Sequence, residues 1–357
     1  MAHSRLTGRS TRLALASLVA LLALGGAAVA TATTHHSSKT LAAPPKLTIG
    51  FLQILGASQA AQSNQTQFER AAKLLGWKVN VVDAQGDPAK MAAGIQSFVT
   101  QKVNAIVTIA VAPAAAQQAL IAAKKAGIPA ITIAGPNPDP LHLYAAEIAP
   151  NDSALGAILA QYMCGTLPAK SMVVAQVFPP LEALLRRDNV AKAIFAQCGI
   201  TIAASHVVDF SNAVADATKS TLDMLRANPD ATAVYADQDF EFVPAQNAIR
   251  QLGRKNVKVY GFLAGPQNLA AIQAGGTAAA IADADYTPCA WIAADQLLQY
   301  FGPKKTPIDP QATYNITQMK ETLLTPINAP KGKTMPYDDP QPFFVSRWKA
   351  LGFAVSS

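Results

Sequence analysis

Cysteine is scarce in this chain, with three residues in 357, so a fold held together by a disulfide framework is excluded. Charge is scarce too. Only 14% of residues are charged while 50% are hydrophobic, which excludes a disordered chain and leaves ample apolar surface for a packed core. The net charge of +7 is dispersed rather than gathered with interleaved aromatics, so no nucleic-acid partner is expected. The 24 prolines and 21 glycines are scattered, which excludes collagen-like and low-complexity tracts. The phosphate-cradling patterns GxGxxG after a strand and GxxxxGK[ST] are absent, as is the GxSxG nucleophile elbow. His142 and His206 stand alone, and His35 and His36 are adjacent but lack further ligands, so neither a metal nor a cofactor is expected. Asp237, Asp239 and Glu241 follow the segment AVYA. Such a carboxylate cluster can do acid–base work or hold ligand hydroxyls. No nucleophile accompanies it, and the reading is therefore not an enzyme.

What is present begins with an export signal. Arg5, Arg9 and Arg12 form a basic start, Leu13 to Ala23 an apolar run, and Ala28-Val29-Ala30 a small-x-small cleavage pattern. The run is short for a membrane span, though an uncleaved anchor is the alternative. No cysteine follows the run, and the arginines are not adjacent, so neither a lipoprotein nor a twin-arginine signal is supported. Residues 1–30 are read as a cleaved signal peptide and the polar, Pro-ended stretch 31–45 as a linker. Cleavage leaves 26 basic against 22 acidic residues, an ordinary balance for an exported protein of the periplasm or the extracellular space.

The rest alternates strand and helix. Apolar runs at Leu47–Leu52, Val79–Val82, Ala105–Ala110 and Ile128–Ala134 read as strands, separated by a helix over Ser58–Leu75, one capped by Asp87 with Pro88 in its first turn and one opened by Pro113. The rhythm restarts at Asn151-Asp152-Ser153. Strands follow at 171–178, 200–208, 233–236, 257–262 and 278–282, with helices between them. Repetition every 25 to 30 residues is the βαβ rhythm of parallel sheets, giving two α/β lobes of about equal size. After Phe301 the pattern breaks into a Pro-rich stretch and an aromatic tail. Ligands of such sheets bind beyond the carboxyl ends of the strands, and two facing lobes make a cleft. The candidates are Gln53, Ser58 and Gln59 in the first lobe, and Arg187, Phe210, Gln238 and Asp283 in the second. Amides, carboxylates, a guanidinium and an aromatic face suit a small polar, polyhydroxylated molecule.

VVDAQGDPAKMAAGIQSFVTQKVNAIVTIAVAP, AAKKAGIPAITI, EIAPNDSALGAILAQYM, NPDATAVYADQD, GRKNVKVYGF and GTAAAIADADY occur in that order. Together they resemble the type I periplasmic sugar-binding proteins, the ribose-binding group, over Leu47 to Phe301. The resemblance implies two Rossmann-like lobes with parallel sheets, joined by a three-segment hinge near 148–151, 281–286 and 312–317. It implies a first lobe of 46–149 plus 284–314, and a second of 150–283 plus 315–357. The family's ligand arginine matches Arg187, or Arg186 in a shifted register, its loop aromatic Phe210, its asparagine Gln238 and its hinge glutamine Asp283. Three features depart. The stacking aromatics fall on Ala60 and Ala61, and two ligand aspartates fall on Ala134 and Leu263. Those departures point away from a simple pentose or hexose in the usual pose, toward a larger, less polar or differently oriented ligand. The implied role is a monomeric solute-binding protein that delivers a carbohydrate-like ligand to the membrane subunits of an ABC transporter. The alternative is a sensor that docks on a membrane receptor. Related regulators carry a helix-turn-helix where this chain has its export signal.

Cys164 and Cys198 close successive helices of the second lobe. In βαβ units both ends fall on the side away from the cleft, and an oxidising compartment lets a bridge persist. The expectation is a Cys164–Cys198 disulfide with Cys289 left over; three buried free thiols are the alternative.

Overall fold

The computed structural model describes residues 41–135, 138–310, 319 and 321–355. The signal peptide, His35 and His36, and the third crossing near 312–317 lie outside the described residues. The first lobe runs β1 (Thr48–Gln53), α1 (Gln59–Leu75), β2 (Lys78–Asp83), α2 (Pro88–Thr100), β3 (Ala105–Ile109), α3 (Gln117–Lys125), β4 (Ala130–Ile133) and β5 (Ala146–Ile148). Its strands order as β2-β1-β3-β4-β5, all parallel. The central strands β3 (AIVTI) and β4 (AITI) are buried throughout, as parallel strands covered on both faces must be, whereas edge strand β2 (KVNVVD) is only partly buried.

The second lobe runs α4 (Asp152–Thr166), β6 (Met172–Val177), α5 (Glu182–Cys198), β7 (Thr201–Val207), α6 (Ala213–Ala227), β8 (Ala231–Ala236), α7 (Asp239–Gln251), β9 (Lys258–Phe262), α8 (Pro266–Ala274) and β10 (Ala278–Asp283). After α9 (Thr287–Phe301), β11 (Thr322–Leu324) adds an antiparallel edge, giving the order β11-β10-β9-β8-β6-β7. Residues 149–151 and 284–286 cross between the lobes. Cys164 and Cys198 form a disulfide joining the ends of α4 and α5, and Cys289 is a buried free thiol.

The tail differs from the sequence reading. The resemblance puts residues 315–357 in the second lobe, and β11 lies there, but α10 (Gln341–Ala350) packs on α9 and the first-lobe core. Trp291, Phe344 and Trp348 stack on one another, and Trp348 Nε1 donates to Asp295 Oδ1 at 2.9 Å. The end of the expected linker is tied down as well, since Ala42 pairs with Phe353. Three large aromatics need cover, and the exposed back of the first lobe supplies it.

Candidate functional site

The carboxyl ends of both sheets face a common cleft. Ala110 after β3, Ala134 after β4 and Leu263 after β9 each sit in the left-handed region, with φ of 51°, 62° and 64°. Each first donates its N–H to the adjacent strand, to Ile133, Ile148 and Ala282 respectively, and then turns the chain out of the sheet. Non-glycine residues rarely adopt this conformation, and where they do the backbone is held at a cost by its surroundings. All three line a cavity of about 50 Å³ between the lobes.

The cleft is closed by direct contacts. Asp239, the first residue of α7, accepts through Oδ2 from Ser58 Oγ at 3.1 Å and from Ala60 N at 2.8 Å. Ser58 also caps α1, its hydroxyl accepting from Ala61 N, so one side chain both starts the helix and reaches the opposite lobe. Gln59 Oε1 accepts from Gln267 N, at 3.1 Å, at the start of α8. Phe210 stacks on Phe178, 3.7 Å between centroids, and meets Phe240 edge-on. A Cβ on Gly86 of the first lobe would lie 2.7 Å from Phe210 Cβ, so that approach requires glycine, whose φ there is 74°.

Arg187 lines the same cavity but spends its donors inside the protein. Its Nε donates to Asp152 Oδ1 (2.8 Å), Nη1 to the Asp237 carbonyl (3.0 Å) and Nη2 to Tyr286 Oη (2.8 Å), and the guanidinium lies over the Phe262 ring. Asp152 follows the first crossing and Tyr286 belongs to the second, so Arg187 gathers both. Beneath it, burial and the charge of Asp188 push Asp237 well above the usual carboxylate range; burial and the charge of Asp237 do the same to Glu241. The three carboxylates singled out in the sequence therefore divide. Asp239 bridges the lobes, while Asp237 and Glu241 accept from the backbone N–H groups of Phe178 and Gln238 and lock the start of α7. Among the described residues no His, Cys, Asp and Glu cluster is arranged to hold a metal ion.

A second cavity of about 40 Å³ adjoins the first, sharing Ala60, Asn64, Leu263 and Tyr286. It holds buried polar atoms without partners: Asn64 Oδ1, Asp283 Oδ2, Asp285 Oδ2 and the Tyr337 hydroxyl. Burial, aided by the neighbouring Asp285 charge, pushes Asp283 up to about 7. Burial pushes Asp285 up to about 6, against the hydrogen bonds its Oδ1 accepts from Thr287.

Six of the seven candidate residues line these two cavities, Ser58, Arg187, Phe210 and Gln238 the first, Gln59 and Asp283 the second. Gln53 lines neither; it is buried at the end of β1 and donates to Gln65. Asn64, Tyr286 and Asp285 were missed. Asn64 had a signal, an amide on the buried stripe Ala61, Phe68, Ala71 and Leu75 of α1. A larger concavity, about 720 Å³, lies between α7 and α8. It is an open groove edged by exposed Arg250 and Lys255, and no buried polar group converges on it.

Residues 49–305 match the family model described as periplasmic binding protein domain. The ribose import binding protein RbsB of Bacillus subtilis (strain 168) is 27% identical over 210 residues, 57% of this chain and 66% of that relative, so the match spans just under two thirds of the relative's length. RbsB of Escherichia coli (strain K12) is 26% identical over 215 residues, 60% of this chain and 71% of that relative. Among solved structures, a galactofuranose binding protein is similar with a TM-score of 0.70 at 20% identity, covering 86% of this chain and 100% of that one. A 5-methylthioribose transporter solute binding protein from Thermotoga lettingae TMO gives 0.71 at 20% identity, covering 80% and 87%. At such identity these two structures bear on the fold alone.

Proposed function

The chain belongs to the periplasmic binding protein domain family, and from that premise we propose that it captures a small carbohydrate-related solute between its lobes and delivers it to the membrane subunits of an ABC importer. The observation that carries this reading is the pair of adjoining cavities at the facing strand ends, with buried polar atoms of Asn64, Asp283, Asp285 and Tyr337 left without partners. A buried polar atom left unpaired is costly, and a ligand that donates to it recovers that cost. The names of the curated relatives, ribose import binding proteins, support the ligand class. Binding rather than turnover fits the use of Ser58 and Asp239, which hold each other across the cleft. In this reading the protein acts outside the cytoplasm, exported on the signal read at 1–30, as a monomer.

The test is calorimetry of the purified protein against pentoses, hexofuranoses, deoxysugars and amino sugars. One of them should bind one-to-one, and Ala60→Trp, which fills the first cavity, should abolish that binding while the protein stays folded. Binding that survives Ala60→Trp unchanged would place the ligand elsewhere and overturn the reading.

A further inference from the structure

The family match covers residues 49–305, and beyond it the chain passes from the second lobe to the first. β11 belongs to the second lobe, where Thr322 pairs with Asp283 along the antiparallel edge. Residues 325–340 then lead to α10 on the first lobe. Their departure is fixed by Gln273 of α8, whose Nε2 donates to the carbonyls of Pro330 at 2.6 Å and Lys333 at 3.0 Å. Ala329 is buried in the second-lobe core as well. Their arrival is fixed by Arg70 of α1, whose Nη2 donates to Asp339 Oδ2 and Gln341 Oε1, both at 2.7 Å. A segment anchored on both lobes in this way is a strap.

Between its anchors the strap puts Met335 and Tyr337 into the wall of the second cavity, with Gln59 and Asn64 of α1 and with Asp283 and Asp285. Tyr337 as a whole is half-buried, but its hydroxyl is buried. Burial and the neighbouring Asp283 charge push Tyr337 well above the usual tyrosine range, so the hydroxyl keeps its proton and acts as a donor. Neither Tyr337 Oη nor Asp283 Oδ2 has a hydrogen-bond partner in the protein. A sugar hydroxyl set between them would accept from the phenol and donate to the carboxylate. Asn64 Oδ1 and Asp285 Oδ2 are further acceptors on the same cavity. The one phenol proton serves a single acceptor, and each sugar hydroxyl brings one more donor. The edge of a solute held here therefore carries at least two hydroxyls.

Resting on the reading of the cleft as a ligand site, we infer that residues 325–340 cover the second cavity and that Tyr337 is a specificity-determining residue, its hydroxyl donating to a ligand hydroxyl that in turn donates to Asp283. The strap thus does two things. It sets which hydroxyl pattern the site accepts, and it holds the solute in until one anchor lets go.

Calorimetry of the full chain against D-ribose, D-fructose, L-fucose and D-glucosamine tests this. For a probe that binds, Tyr337→Phe, which removes only the hydroxyl, should weaken affinity about tenfold. The ligand-free variant should melt with the parent. One monodeoxy analogue of that probe should bind parent and Tyr337→Phe alike, because the hydroxyl that Tyr337 serves is already gone. Gln273→Leu, which frees the strap at its second-lobe end, should speed release of the probe several-fold in stopped-flow measurements. Unchanged affinity in Tyr337→Phe overturns the inference while leaving solute capture standing. A lower ligand-free melting temperature together with unchanged affinity does the same, since it makes the hydroxyl structural. Tenfold losses that persist for every monodeoxy analogue overturn the hydroxyl pairing, and an unchanged release rate in Gln273→Leu overturns the cover. Should none of the four probes bind the parent, the inference and the sugar reading fail together.

Discussion

Arg187 illustrates how a side chain can occupy a ligand position and serve the fold instead. It is buried beside Asp152 at 2.6 Å, with Tyr286 and the Asp237 carbonyl taking its remaining donors. Removing one partner of a buried ion pair strands the other charge, typically at about 3–5 kcal/mol. Arg187→Ala should therefore lower unfolding stability by roughly that amount in urea titration; a midpoint within error of the parent would mean the guanidinium is free for ligand. Asp283 makes a second case. Its pKa, raised to about 7 chiefly by burial, means the folded state holds its proton more tightly than the unfolded chain does. Its contribution is complete below the unfolded carboxylate range and is lost as pH rises through about 7, so the ligand-free protein should lose stability between about pH 4 and 7. Asp283→Asn should flatten that slope in melts taken across pH. A slope equally steep in the variant would assign it to another carboxyl, such as Asp188 at about 6. The sequence made these positions visible as polar residues after strands. It could not reveal that Arg187 is saturated and Asp283 is not, because that depends on which other segments arrive.

At the scale of elements, the strands that repeat were legible and the ones that close the sheets were not. Parallel strands buried on both faces read as apolar runs, which is how β1, β3, β4, β6 and β9 stand out. β5 and β11 have three residues each, too few to show any period. α9 is hidden for the opposite reason. From Thr287 to Leu298 every residue is buried, so it carries no polar face to mark a helical repeat. α7 begins at Asp239, because Gln238 and Glu241 form a capping box that looks in sequence like an acidic loop. The helices α4 and α5 pack closely enough that a Cβ on Gly156 would lie 2.5 Å from the Arg187 carbonyl oxygen, and the Cys164–Cys198 bridge ties their far ends. With a sequence separation of 34, the bridge should contribute roughly 3–4 kcal/mol by restricting the unfolded chain. Replacing both cysteines by serine should lower stability by about that much in reversible denaturation, while ligand affinity stays at the parental value because the bridge lies away from the cleft. A loss below about 1 kcal/mol would show that the unfolded chain is already restricted there.

Across the whole molecule, the lobes share a core. Leu184, Val208, Phe210, Ala213 and Phe240 of the second lobe belong to the same buried apolar cluster as the sheet of the first. Burying a large apolar side chain yields about 1.5–3 kcal/mol, and the Ser58–Asp239 and Gln59–Gln267 hydrogen bonds add to that. Closure thus supports itself, and a ligand enters by displacing part of this contact rather than by supplying all of it. Gly86 is the place to test the balance. A methyl group there would meet Phe210 at 2.7 Å, on a backbone with φ of 74° that a side chain strains further. Gly86→Ala should therefore push the lobes apart, and small-angle scattering should give ligand-free Gly86→Ala a larger radius of gyration than the ligand-free parent. The strain itself is on the order of 1–3 kcal/mol, so melting should fall modestly while both sheets persist by circular dichroism. If the parent already scatters with the larger radius, the apolar contact does not hold the cleft shut by itself, and closure must be supplied by the ligand. If both scatter with the smaller radius, the loop carrying Gly86 yields and Phe210 keeps its place.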